Sequence, residues 1–264
     1  AHRLDLWLPY NRTGKLPVVV YIHGGAFHYL SKETHWIMAL AFARAGYVVA
    51  NVEYRLAPKH PFPAAIEDVC RAALWVRQNI ERYGGDSERV AIAGESAGAN
   101  LATSVSLACC QRRDEPWARE LFDSGLHPKL CLPACGVLQV SDLARLFESR
   151  PVPRWVQLQL EELEHGYLSA RPPSGRVLEL ADPLLTLERG FDAERALPKF
   201  FTFAGTRDVL VDDTRRLKAA LDKLGTHCEM RIYEREIHAF HAILTRPATT
   251  DVWRGQLAFL DREL

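Results

Sequence analysis

The sequence predicts an α/β fold: a mostly parallel central sheet with helices on both faces. Three observations carry this expectation. Short β-branched apolar runs alternate with stretches of helical periodicity, as when strands are joined by crossover helices. The runs are apolar at nearly every position, which fits strands covered on both sides. Gly and Pro punctuate the boundaries. At 264 residues and 48% hydrophobic composition the chain can bury a large core as a single domain, with no need of a disulfide or metal.

The elements follow in order. The opening "AHRLDLWLPY" has strand-like alternation and no signal-peptide core. Residues 17–22, "PVVVYI", read as a strand buried on both faces. A helix is expected over 33–45, ended by Gly46, and then a strand in "YVVANVEY" (47–54). Pro58, Pro61 and Pro63 break the chain, after which 64–83 reads as a helix with Trp75 and Ile80 on one face. "RVAIAG" (89–94) is a strand, 97–112 a helix, and a further strand is expected within 134–140.

Residues 142–190 differ in character. "PVPRWVQLQLEELEHGYL" (151–168) is one amphipathic helix, followed by "RPPSG" (171–175) and a charged stretch. This reads as a lid or cap insertion into the single domain of 1–264, not as a second domain. Regular order returns with a strand at "KFFTFAG" (199–205), a helix at 212–224, a strand at "CEMRIYE" (228–234) and a last helix at 249–263. The 228–234 strand would lie at the sheet edge, where pairing with a second copy makes a homodimer an open expectation.

Thirty-three basic residues balance 33 acidic ones, which gives no electrostatic reason to expect a nucleic-acid or anionic-membrane partner. The pairs Arg112-Arg113 and Arg215-Arg216 read as solvated helix faces. None of the six cysteines forms a CxxC pair, and Cys131/Cys135 lacks a second half for a zinc site. They read as buried thiols in a reducing, cytoplasmic compartment. No apolar run reaches the roughly 18 residues of a membrane span. There is no HExxH, Walker A loop or dinucleotide fingerprint, so no metal or cofactor is expected.

Chemistry is expected beyond the carboxyl ends of the strands. There, "VAIAGESAGANLA" (90–102) sets Ser96 between Gly94 and Gly98, where a strand turns into a helix. So tight a turn pushes its central residue towards positive φ, and small neighbours let helix and strand approach. The hydroxyl is then exposed at the positive end of the helix, as in the G-x-S-x-G nucleophile elbow. A serine needs a base, and that base a carboxylate to hold its tautomer. His238 and His241 both follow the last strand. His238 is nearer its end, while His241 falls where a helix could begin and reads as structural. Asp208 follows the 199–205 strand. Asp212 and Asp213 are alternatives better suited to capping the next helix. Strand 17–22 runs into His23-Gly24-Gly25-Ala26-Phe27, where glycines let the backbone aim amides at a developing oxyanion. The Gly24-Gly25-Ala26 turn with Ala97 forms the candidate oxyanion hole. Phe27, Tyr29 and Trp155 are candidate substrate-lining aromatics, Trp155 equally a candidate for lid packing.

The stretches "YIHGGAFHYL" (21–30), "EYRLAPKHPFPAAIEDV" (53–69), "GESAGANLA" (94–102), "DPLLTL" (182–187), "AGTRDVLVDD" (204–213) and "IHAF" (237–240) resemble, in order, the hormone-sensitive-lipase-like family of α/β-hydrolase esterases and lipases. The resemblance implies an α/β-hydrolase fold. It also implies hydrolysis of a small-molecule carboxylic ester, of short to medium acyl chain, through an acyl-enzyme. Ser96 would be nucleophile, His238 base and Asp208 acid, with His23 bracing the oxyanion turn. Three departures stand out. Ala26 replaces a common glycine, keeping the N–H while its β-carbon restricts the backbone. Glu95 stands where Asp is frequent and is expected only to support the site from behind. Many members carry a helical cap before the first strands, and this sequence begins after that point; if the cap is missing, 142–190 would be the only lid over an open pocket tolerant of larger alcohol groups. An amidase or formamidase using the same triad, and a small-ligand-binding relative that does no chemistry, are the rival readings.

Overall fold

The computed structural model describes residues 3–10, 13–148, 151–169 and 176–264. Along the chain the elements are β1 (Leu4–Trp7), β2 (Leu16–Ile22), α1 (Trp36–Arg44), β3 (Val48–Val52), α2 (Ala64–Asn79), β4 (Gly85–Glu95), α3 (Ala97–Cys110), α4 (Pro116–Asp123), β5 (Leu130–Ala134), α5 (Arg145–Glu148), α6 (Arg154–Leu168), α7 (Pro183–Glu188), β6 (Lys199–Gly205), α8 (Val211–Lys223), β7 (Cys228–Tyr233) and α9 (Pro247–Glu263). The strands form one sheet in the order β1-β3-β2-β4-β5-β6-β7. β1 pairs antiparallel with β3, and the remaining neighbours are parallel.

Side-chain alternation divides the interior into two layers. Val18, Val20 and Ile22 of β2 face α2 and α3, meeting Ile66, Leu101 and Val105. Val19 and Tyr21 face the other way, into a layer with Met38 and Phe42 of α1 and Val252 and Phe259 of α9. Each fully buried side chain of this size contributes roughly 1.5–3 kcal/mol, which is why these short apolar runs fold as central strands.

Several expectations change. The strand expected within 134–140 is β5, which ends at Ala134 and pairs with β4 from Ala91↔Leu130 to Glu95↔Ala134. Pro133 lies inside it, a residue that normally argues against a central strand. The apolar residues after it are buried in a loop that leaves the sheet at Cys135, φ 39°. The helix of 64–83 is α-helical only to Asn79; one 3₁₀ turn follows and Gly84 closes it at φ 85°. α4 has no counterpart in the sequence reading, being two turns begun by a proline. Arg113 is not on a solvated face. It is 2% exposed, and its guanidinium donates to Glu179 at 3.0 Å and to the carbonyl of Arg176 at 3.2 Å. Arg216 also leaves the solvated-face reading, forking onto Glu188 at 2.8 Å, whereas Arg215 and Arg112 are largely exposed.

Within 142–190 lie α5, α6, a 3₁₀ turn (Arg176–Leu180) and α7, while the break expected at 171–175 lies outside the described residues. The two ends of this excursion meet. Asp182 accepts hydrogen bonds from the amides of Val140 (2.6 Å) and Ser141 (3.0 Å) and from the Ser141 hydroxyl (2.5 Å). β7 is at the sheet edge, as expected. All six cysteines are buried free thiols, and burial pushes Cys110, Cys131 and Cys228 up to about 12. Among the described residues no helix is long and apolar enough to cross a membrane.

Candidate active site

β4 delivers Ser96 to the carboxyl edge of the sheet. The residue sits at φ 55°, ψ −116°, a strained conformation for any side chain but glycine. The elbow closes because of its flanks. A β-carbon on Gly98 would stand 2.1 Å from the carbonyl oxygen of Ile22, and one on Gly94 2.4 Å from that of Gly98. Ser96 is held by its amide, which donates to Ala134 O at 2.9 Å, and its carbonyl accepts from Ala99 and Asn100 in the first turn of α3. It remains half-buried between buried neighbours, so its hydroxyl is reachable.

β6 and β7 bring the other two groups together. Nδ1 of His238 lies 2.8 Å from Oδ2 of Asp208, whose Oδ1 accepts from the amide of Leu210 at 2.9 Å. Asp208 is fully buried and His238 exposes 39% of its side chain. Donation from Nδ1–H to the carboxylate leaves Nε2 as the basic nitrogen. Burial opposes the imidazolium, but the charge and hydrogen bond of Asp208, with Glu95 adding to them, outweigh it and hold His238 above the ordinary 6.5. Cys135, just past β5, lies beside this pair: its Sγ, an Asp208 oxygen and a His238 nitrogen all fall within 4.8 Å of one another. Burial keeps that thiol protonated.

The turn after β2 runs through three consecutive positive φ values: Gly25 at 110°, Ala26 at 54° and Phe27 at 60°. The first needs glycine, since a β-carbon there would stand 2.0 Å from the carbonyl oxygen of Tyr29. Ala26 falls in the left-handed basin a β-carbon tolerates. The carbonyls of the turn are turned inward. Tyr54 Oη donates to His23 O (3.0 Å) and Gly24 O (3.4 Å), and Nδ1 of His23 donates to Gly24 O (2.7 Å). The rings of Tyr54 and His23 stack at 4.1 Å, and burial lowers His23 to about 4, so it is a neutral brace. Among the described residues no protein acceptor takes the amide hydrogens of Gly25, Ala26 or Ala97. Gly24 contributes close approach, because a β-carbon there would sit 3.0 Å from the carbonyl oxygen of Glu95.

The "EYRLAP…FPAAIED" stretch, motif-like in the sequence but without an evident role, supplies this bracing. Tyr54 holds the turn, Arg55 donates to Asp68 and Glu67 at the start of α2, and Ala57 N–H donates to Phe27 O at 2.9 Å. The expectation that this stretch shapes the loop and helix packed near the oxyanion turn is met by Tyr54, Arg55 and Ala57. Glu95, buried directly behind Ser96, places Oε1 2.9 Å from Nε2 of His35 and Oε2 2.6 Å from Nε2 of His241.

Of the three candidate lining aromatics, Phe27 is corrected. Phe27 has no exposed surface: it stacks face to face on Tyr167 of α6 at 3.7 Å, so it packs the insertion down and does not line an open pocket. Tyr29 is 53% exposed, its hydroxyl donating to Glu162 of α6 at 3.2 Å, and Trp155 is 65% exposed on α6. Asp212 and Asp213 do not cap α8. Asp212 pairs with Arg215, while buried Asp213 accepts from the amides of Leu138 and Gln139 and pairs with Arg145 at 2.8 Å.

A family model for the alpha/beta hydrolase fold matches residues 19–242, and the chain belongs to that family, in the hormone-sensitive-lipase-like branch its motifs resemble. Among the relatives it is similar to is esterase LipI of Mycobacterium tuberculosis, 44% identical over 253 residues that cover 92% of this chain and 72% of LipI. Carboxylesterase NlhH of the same organism is 47% identical over 101 residues, 38% of this chain and 31% of NlhH. Several curated relatives are matched over about half of their own length or less. Of solved structures, a hyperthermophilic esterase of the archaeon Pyrobaculum calidifontis aligns with TM-score 0.79 and 27% identity, over 94% of this chain and 76% of that one.

Proposed function

We propose that the protein hydrolyses carboxylic esters of short- to medium-chain acyl groups through an acyl-enzyme on Ser96. The observation that carries this reading is the 2.8 Å His238–Asp208 pair at the sheet edge that also presents the strained Ser96 elbow. The imidazole Nε2 takes the Ser96 proton as Oγ attacks the ester carbonyl, and Asp208 stabilises the imidazolium that forms. The unpaired amides of Gly25, Ala26 and Ala97 receive the negative charge on the carbonyl oxygen. Each such donor is worth about 2.7–4 kcal/mol in the transition state. His238 then protonates the departing alkoxide. A water deprotonated by the same nitrogen attacks the acyl carbonyl and frees the acid.

Residues 142–190 act as the lid of this single domain, α6 being seated by Tyr167 on Phe27 and Phe62. The esterase names of LipI and NlhH support the reaction class. The test is a chain-length series of p-nitrophenyl esters, with matched p-nitroanilides, on wild type and Ser96→Ala. The expected result is turnover of short and medium esters by wild type and none by the variant, whose melting temperature stays near wild type. Faster cleavage of the anilides would turn the assignment to an amidase.

A further inference from the structure

The mechanism above leaves a buried anion unused. Glu95 is 6% exposed and one residue from the nucleophile, and its carboxylate meets three separate segments. Oε1 lies 2.9 Å from Nε2 of His35, at the head of α1, where the chain returns from the oxyanion turn. Oε2 lies 2.6 Å from Nε2 of His241, in the 3₁₀ turn Phe240–Ala242 that follows His238. Above it sits Gly24, where a β-carbon would stand 3.2 Å from Cγ and 3.3 Å from Oε1 of Glu95. Burial alone would push this carboxyl up; the two imidazoles reverse that and keep it ionised. His35 makes a hydrogen bond to Oε1 and His241 a close charge contact with Oε2; a buried charge is costly without such partners, so the three side chains are bound to one geometry.

We infer that Glu95 is a positioning residue that locks the oxyanion turn, the nucleophile elbow and the base loop to one another through His35 and His241. The inference rests on the reading of Ser96 and His238 as nucleophile and base. The charge has a second consequence. The groups facing His238 are Asp208 after β6, Cys135 after β5 and Glu95 at the end of β4; the thiol is neutral, so the two carboxylates set the field on the imidazole. Removing the charge of Glu95 therefore makes His238 easier to deprotonate.

The test is steady-state hydrolysis of p-nitrophenyl butyrate from pH 5 to 9 by wild type, Glu95→Gln, Glu95→Asp, His35→Gln and His241→Gln, with melting curves for each. In Glu95→Gln, kcat is expected to fall at least tenfold with KM within threefold, and the acid limb of kcat/KM to move to lower pH. Glu95→Asp, which keeps the charge, keeps the limb near wild type. A folded Glu95→Gln with a smaller loss or an unmoved limb overturns the inference. If Glu95→Gln does not fold, the histidine variants decide: each is expected to lose at least fivefold in kcat at unchanged KM, and a smaller loss in either overturns it. Failure of all three neutral variants to fold assigns the cluster to stability alone and overturns it too. An inactive wild type, or an active Ser96→Ala, would instead strike the esterase reading.

Discussion

The smallest decisive unit is the His238–Asp208 contact. Asp208→Asn preserves the shape but not the negative charge, and it favours the wrong imidazole tautomer. On the order of a 10⁴-fold loss in kcat is expected, by analogy with serine proteases, measurable with any chromogenic ester the wild type accepts. The same contact fixes the pH dependence. The proposed base works only when neutral, and Asp208 holds His238 above 6.5. Activity should therefore fall as pH drops through a value above 6.5, and kcat/KM against pH will show the midpoint of that limb. The stability linked to this pair has the other sign: it is full at low pH and lost as pH rises through the same value.

At the scale of elements, Gly98 is what permits α3 to begin directly after β4. Gly98→Ala must displace the backbone of Ile22 or His23, neither of which can rotate away. It is expected to cost about 1–3 kcal/mol or more, read by denaturant unfolding, and to reduce turnover. Tyr167→Ala removes the stack that seats α6. Large aromatic truncations in cores cost about 3–5 kcal/mol, and a comparable loss should appear in the same experiment. These elements differed in how plainly the sequence announced them. β2, β3, β4 and β6 are apolar runs with clear flanks, and the Gly94–Gly98 elbow is nearly self-defining. β5 was misplaced because Pro133 interrupts its propensity, so its position follows from pairing with β4 and β6 and not from local pattern. Phe27 showed its aromatic character but not its partner, 140 positions away in the chain.

At the scale of the molecule, buried titratable groups tie stability to acid. His23 is fully buried and lowered to about 4, against an ordinary 6.5. Between those values the unfolded chain takes up a proton that the folded one refuses, so stability is full above 6.5 and lost as pH falls. At about 1.36 kcal/mol per unit, His23 alone accounts for about 3 kcal/mol. Urea midpoints should fall from pH 6.5 to 4, with a shallower slope in His23→Gln. Tertiary charge placement was the least legible property of the sequence. Arg113 looked like half of a solvated pair until its partner Glu179 was brought beside it, and Asp213 looked like a cap until the loop after β5 folded onto it.

The Asp182 staple has an implication of its own. Since one carboxylate joins Val140 and Ser141, in the loop after β5, to the start of α7, the two ends of the insertion are tied together at a single point outside the sheet. Loop-closure cost grows only slowly with length once the ends are fixed. On the lid reading proposed above, the stretch is expected to behave as an exchangeable cassette: a longer or shorter segment grafted between the same two anchors would change the cover while leaving β4, β6 and β7 in place.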